Sequence, residues 1–279
     1  MDKKVVYLEK TDVAATLTTW IYCAFWQMWA AEKLGHDSYI NWPAGFTPSR
    51  SLQAYQDPIK FAEIHNMYDW YFKQPMVSSP PPRTDVWEWE NCPEAGQFPL
   101  MAQPLPVMRE YFKKHLHFND ETNRRGELLV SKYNIDFNKT IGITWRGTDI
   151  YLDGRPRISI ETYFKFIDEI LEKEPDLRIM ATAEEEQILD PLFARYPNSF
   201  KVEEFISSPF QAKDNPERIS KVSGYERGLQ PALMVWLFSK CAHYIKNRSS
   251  TGAVASWISD GRIVSIGHPE NLGFPANTD

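Results

Sequence analysis

Short apolar runs alternate with longer stretches whose apolar residues recur every three or four positions, most regularly in the second half of the chain. Thr140–Trp145 is apolar and β-branched, as a strand covered on both faces should be. The helix predicted over Ile160–Lys173 places Ile160, Phe164, Ile167 and Leu171 on one face. A strand at Arg178–Ala181, a helix through "TAEEEQILDPLFARY" and a strand at Phe200–Glu203 follow. After a loop (Ser207–Tyr225) come helix Leu229–Ser239, strand His243–Lys246, helix Gly252–Ser259 and strand Arg262–Ile266. Strands alternating with helices imply a parallel, doubly wound sheet.

The first half reads strand Lys4–Leu8, helix Thr16–Leu34 and strand Ser38–Trp42. Ala44–Asp57 has loop composition, Ile59–Phe72 helical spacing, and Gln74–Arg83 is a proline-rich break. "VWEWEN" suits an edge strand, Pro106–Leu116 an amphipathic helix, and Phe118–Tyr133 a polar helix leading to a hinge. The fold class is therefore α/β, with two Rossmann-like domains, 1–135 and 136–279, expected to face each other across a cleft.

Val13–Ala31 carries no charged side chain, which meets a crude membrane-span criterion. Its threonines, Gln27 and three tryptophans, followed by Glu32-Lys33-Leu34-Gly35 and another strand, fit a buried first helix of a β-α-β unit instead. No membrane span is expected. The formal charge of −6 argues against a nucleic-acid partner, because phosphate neutralisation needs clustered Lys and Arg. Three well-separated cysteines (Cys23, Cys92, Cys241) form no disulfide or zinc pattern and suit a cytoplasmic setting. The sequons at Asn138 and Asn247 border strand ends and read as accidental. His115 and His117 read as a solvated helix end, and no metal-ligand spacing is visible.

Candidate chemistry gathers where strands end, which is where open α/β sheets bind ligands. Arg146, Gly147, Thr148 and Asp149 follow the first strand of the second half. A guanidinium matches phosphate oxygens bidentately, and glycine lets the backbone approach closely. An Arg146–Asp149 surface ion pair is the plain alternative. Thr182 and Glu184 follow the next strand, where Thr182 could simply cap a helix. Arg248, Ser249, Ser250 and Thr251 open the last helix, and hydroxyls with helix-end N–H groups make an anion site.

Taken together, these loops resemble the fucosyltransferase superfamily, above all the core α1,6- and chitooligosaccharide fucosyltransferases. "GITWRGTD" is similar to their "GVHVRRTD". "ATAEEEQILDPLFARYPN" resembles their "ATDD" loop, helix and "YPN", and "LMVWLFSKCAHYIKNRSST" their helix and strand ending in "TFSS". "TLTTWIYCAFWQMWAAEKLGHDSYINWP" resembles their opening helix and strand. The likeness covers Ile141–Trp257 well and the first forty residues less well. It implies a GT-B fold and an inverting, metal-independent transfer with no cofactor beyond a nucleotide-sugar donor. Arg146 matches the arginine that grips the β-phosphate, Ser250 and Thr251 the hydroxyl pair near the diphosphate, and Asp149 the motif acid. Thr144 stands in place of a histidine, Gly147 of a second arginine, and Val235 of an acid that helps read guanine. The donor thus stays open between GDP-fucose and a UDP-sugar such as UDP-xylose.

An inverting enzyme needs one carboxylate near the acceptor hydroxyl. Asp153, Glu9 and Asp12 are the candidates, the last two in or beside the loop after the first strand. The expected acceptor is a glycan or glycoconjugate, with Trp70, Trp87 and Trp89 available to stack on sugar faces. The competing reading is a non-catalytic nucleotide- or carbohydrate-binding protein on the same scaffold. A dinucleotide enzyme is disfavoured because no glycine fingerprint follows the first strand.

Overall fold

The computed structural model describes residues 4–9, 17–42, 57–80, 82, 86–88, 100, 103–146, 158–183, 185–205, 222–247 and 249–266. The chain divides into two compact units. One is Met1–Arg124 with Val222–Leu233, and the other is Arg125–Lys221 with Met234–Asp279. The divisions fall inside helices, at 124/125 and 233/234, whereas the sequence reading puts one boundary at 135/136.

In the first unit β1 (Val5–Glu9), α1 (Leu17–Lys33) and β2 (Asp37–Asn41) form a β-α-β unit with parallel strands. The short edge strand β4 (Val86–Glu88) pairs parallel with β1 on its other side. α1 carries no charge before its last two residues, Glu32 and Lys33, because its body is interior. Trp20, Ile21, Phe25 and Met28 are fully buried, and buried Gln27 donates to the Trp87 carbonyl (3.1 Å). Gly35 ends the helix at φ +76°, a left-handed conformation that glycine adopts without steric cost. No described helix is long and apolar enough to cross a membrane.

The helix expected over Ile59–Phe72 is not continuous. α2 (Pro58–Glu63) stops at Ile64, a 3₁₀ turn covers Met67–Trp70, and Phe72–Lys73 forms β3, antiparallel to β5 (His117–Phe118). Asn66 causes the break. Its Oδ1 accepts from the Trp42 and Tyr68 amides, and its Nδ2 donates to the Ile40 carbonyl, so its side chain serves the turn and the end of β2. α3 (Leu105–His115) buries Met108, Tyr111, Phe112 and His115, a single helical face, with Phe112 stacked on Phe25 at 4.6 Å. His115 is therefore buried rather than solvated, and burial lowers its pKa. His117 is exposed, but it lies in β5 and not at a helix end.

In the second unit α4 (Asp120–Tyr133) leads to a parallel sheet of β6 (Thr140–Trp145), β7 (Arg178–Ala183), β8 (Ser199–Lys201), β9 (His243–Lys246) and β10 (Arg262–Ser265). Their spatial order is β10-β9-β6-β7-β8, so the chain turns from one side of the sheet to the other at β6 and β9. Ile141, Ile143, Ile179, Ala181 and Ile245 share one face with Tyr163, Ile167 and Ile170 of α5 (Ile160–Leu171) and Leu189 and Leu192 of α6 (Leu189–Arg195). On the opposite face α7 (Gly224–Phe238) comes so near β6 that a Cβ on Gly142 would lie 2.7 Å from Phe238 Cδ1. α8 (Ser250–Ile258) is the next helix in the chain after β9.

Two elements shift against expectation. β7 runs on to Ala183, so Thr182 is a strand residue and not a helix cap, and the helix after it begins only at Leu189, behind a 3₁₀ turn. α7 begins at Gly224, inside what reads as loop, and tolerates Pro231 within it.

Candidate functional site

The carboxyl ends of β6 and β9 meet where the strand order reverses. Arg146, the residue after β6, donates its backbone N–H to Asn247 Oδ1 (2.9 Å), and Asn247 Nδ2 donates back to the Arg146 carbonyl (2.5 Å). The two loop starts are thus clamped together, which fixes the backbone from which the Arg146 guanidinium extends. Asn247 is buried, so its sequon cannot carry a glycan.

Register places Thr182, Thr144, Lys246 and Ser265 side by side on β7, β6, β9 and β10. Paired positions of parallel strands share a face, so these four make a polar row across the sheet's carboxyl edge. Thr144 Oγ1 lies 2.9 Å from the Tyr244 hydroxyl, and its carbonyl accepts from Tyr163 (3.1 Å). Its hydroxyl is therefore committed inside the fold.

Ser249 is the N-cap of α8, accepting from the Gly252 amide at 2.8 Å. Its hydroxyl is thus committed to the helix end. Ser250 and Thr251 lie in the first turn and are half-buried. Around Gly252 the packing is tight. A Cβ there would meet Ser249 Oγ at 2.8 Å, Lys246 Cδ at 3.1 Å and the Tyr244 hydroxyl at 3.3 Å. Lys246 is only 4% exposed, and burial pushes its ammonium down to about 8. Such an edge, with N–H groups, hydroxyls and two cations, is suited to an anion. Gly147, Thr148, Asp149, Asp153, Glu184 and Arg248 lie outside the described residues, as does Asp12.

The first unit has its own cavity of about 440 Å³ at the ends of β1 and β2, lined by Tyr7, Glu9, Tyr39, Asn41, Asn66 and Asp69 among others. Glu9 closes β1 and is buried, with Oε1 accepting from Asn41 Nδ2 (2.8 Å). Burial raises the Asp69 pKa, partly offset by hydrogen bonds from Gln74, Asn66 and Tyr39. Among the tryptophans offered for sugar stacking, Trp70 is core: it is fully buried and donates to the Ile64 carbonyl (2.7 Å). Trp87 is half-buried against Ala30, and Trp89 lies outside the described residues. Among the described residues no group of three His, Cys, Asp or Glu could hold a metal ion.

The sequence reading missed Lys246 and Asp69, and gave Asn247, the first residue of the third loop, no clamping role. Lys246 did leave a signal, as the one charged residue closing an otherwise buried strand beside the Arg146 loop.

No family model matches the chain, and no curated protein sequence is similar to it. Solved structures do match. The fucosyltransferase NodZ from Bradyrhizobium superposes with a TM-score of 0.54 and 14% identity, over 95% of this chain and 96% of that one. POFUT1 in complex with GDP gives 0.51 and 9% identity, over 96% of this chain and 100% of that one. NodZ α-1,6-fucosyltransferase soaked with GDP-fucose gives 0.50 and 14%, over 99% and 98%. In fold, then, the chain is fucosyltransferase-like: an α/β protein of two units, each built on a parallel sheet.

Proposed function

We propose that this protein is an inverting glycosyltransferase that moves a sugar from a nucleotide diphosphate to a hydroxyl of a glycan or glycoconjugate. The observation that carries this reading is the clamp between Arg146 and Asn247 at the strand-order reversal, beside the capped N-terminus of α8. A departing nucleoside diphosphate gains negative charge as the glycosidic bond breaks. A guanidinium on a fixed backbone and helix-end amides stabilise that charge with little reorganisation. The reading assigns this task to Arg146, Ser250 and Thr251, without help from a metal ion. Thr182, Glu184, Thr148, Gly147 and Arg248 complete the donor loops, and Asp149 is the motif acid.

The likeness to NodZ and POFUT1, solved with GDP or GDP-fucose, supports a nucleotide-sugar donor. Val235, where an acid would help read guanine, is buried and apolar, which leaves a UDP-sugar such as UDP-xylose beside GDP-fucose. One of Glu9, Asp12 and Asp153 takes the acceptor proton.

A thermal-shift series with UDP, GDP, ADP and their sugars tests the donor site, because a ligand that binds only the folded state stabilises it. UDP or GDP should raise the melting temperature, and Arg146→Ala should remove the rise. Should no nucleotide shift the wild type, or the shift survive in Arg146→Ala, the assignment fails. Nucleotide release from the effective donor, dependent on added acceptor glycan, tests transfer itself.

A further inference from the structure

We propose that Lys246 is a second anion-binding residue of the donor site, placing its ammonium against the diphosphate that Arg146 and the N-terminus of α8 also hold. This rests on the reading of that edge as a diphosphate site and deepens it.

Three observations lead there. Lys246 ends β9 at the strand-order reversal, next in sequence to the Asn247 that clamps Arg146. Its stem runs beneath the first turn of α8, with Cδ, Ser249 Oγ and the Tyr244 hydroxyl gathered around Gly252. Its side chain is more than nine-tenths buried, yet among the described residues no hydrogen bond or ion pair holds the ammonium, and burial is the one cause of its lowered pKa.

A buried ammonium with no counter-ion works against folding, and a methionine would fill the same space without that cost. The groups that gather with its stem around Gly252 are the Ser249 and Tyr244 hydroxyls, which do not neutralise a cation. What the arrangement lacks, among the described residues, is an anion. A diphosphate supplies it, and the two cations are complementary: Arg146 offers a planar fork, Lys246 a compact charge with three rotatable donors. Gly252 is part of the same arrangement, since any side chain there would collide with the lysine stem and the cap.

The test uses the full chain, titrated calorimetrically with UDP, GDP and inorganic pyrophosphate in wild type, Lys246→Met and Lys246→Gln. Both variants should weaken the nucleotide that binds by roughly ten- to a hundredfold, the loss expected for one charge-assisted contact. Pyrophosphate should weaken in parallel, because the lost contact is to phosphate. Unliganded Lys246→Met should melt no lower than wild type, which separates lost binding from lost folding. If the variants bind UDP or GDP as wild type does, Lys246 has no such role, while the donor site itself stands. If the nucleotide weakens and pyrophosphate does not, Lys246 reads another part of the donor, and the proposal is wrong. If wild type binds none of the three, the donor-site reading falls, and this inference with it.

Discussion

The Asn247 side chain and the Arg146 backbone exchange two hydrogen bonds, joining the loops that leave β6 and β9. These residues are 101 positions apart in sequence. The pair converts a topological feature, the reversal of strand order, into a fixed starting point for the Arg146 guanidinium.

Removing that clamp should loosen both loops at once. Asn247→Ala leaves the Arg146 N–H and C=O without their partner, at a cost of about 1–3 kcal/mol. The nucleotide-induced thermal shift should shrink as well. Asn247→Asp keeps an acceptor for the N–H but sets a buried carboxylate against the Arg146 carbonyl, and should be at least as destabilising as Asn247→Ala. Urea denaturation and thermal shift measure the two effects, and wild-type behaviour in Asn247→Ala would contradict the role.

Lys246 makes a prediction about pH. Its folded pKa is depressed to about 8 from 10.5, so between those values the unfolded chain binds more protons than the folded one. Stability from this group therefore rises with pH across about 8 to 10.5, while below 8 the penalty is full and constant. The depression corresponds to a penalty on the order of 3 kcal/mol. Lys246→Met should be the more stable protein at pH 7.5, and its advantage should close by pH 10.5. A constant difference across that window in paired denaturation curves would show that the lysine is not penalised by burial.

Glu9 is the described candidate for the base. Gln in its place can still accept from Asn41 Nδ2, so the unit should fold normally. If Glu9 takes the acceptor proton, Glu9→Gln lowers kcat by about a hundred- to ten-thousandfold and leaves the nucleotide-induced shift unchanged. Retained turnover would pass the role to Asp12 or Asp153.

Gly142 tests the packing behind the site. A methyl group there would lie 2.7 Å from Phe238 Cδ1 and 3.0 Å from Cys241 Sγ. Gly142→Ala should cost about 1–3 kcal/mol by forcing α7 off the sheet, visible as a lower denaturation midpoint. A midpoint equal to wild type would mean that the helix gives way freely.

Much of the second unit was legible from local pattern. Thr140–Trp145 and His243–Lys246 are read as strands and found as strands with the same bounds, the former because a strand covered on both faces leaves a nearly continuous apolar signature. The first helix was legible for the converse reason, since an uncharged, tryptophan-rich segment between two strands has to be interior. The Ile59–Phe72 segment was not legible. Its helical spacing is interrupted by hydrogen bonds from Asn66 to the end of β2, and only the fold creates those contacts.

The site divides along the same line. By itself the sequence determined that Arg146, Ser250 and Thr251 follow strands of a doubly wound sheet, because strand and helix periods are local properties of the chain. Tertiary structure alone decided that β6 and β9 are neighbours, that Asn247 holds Arg146 in place, and that Thr182 lies in a strand. It also decided that Lys246 is buried with no ion pair among the described residues. Strand order, register and desolvation are properties of residues far apart in sequence, and no local pattern encodes them.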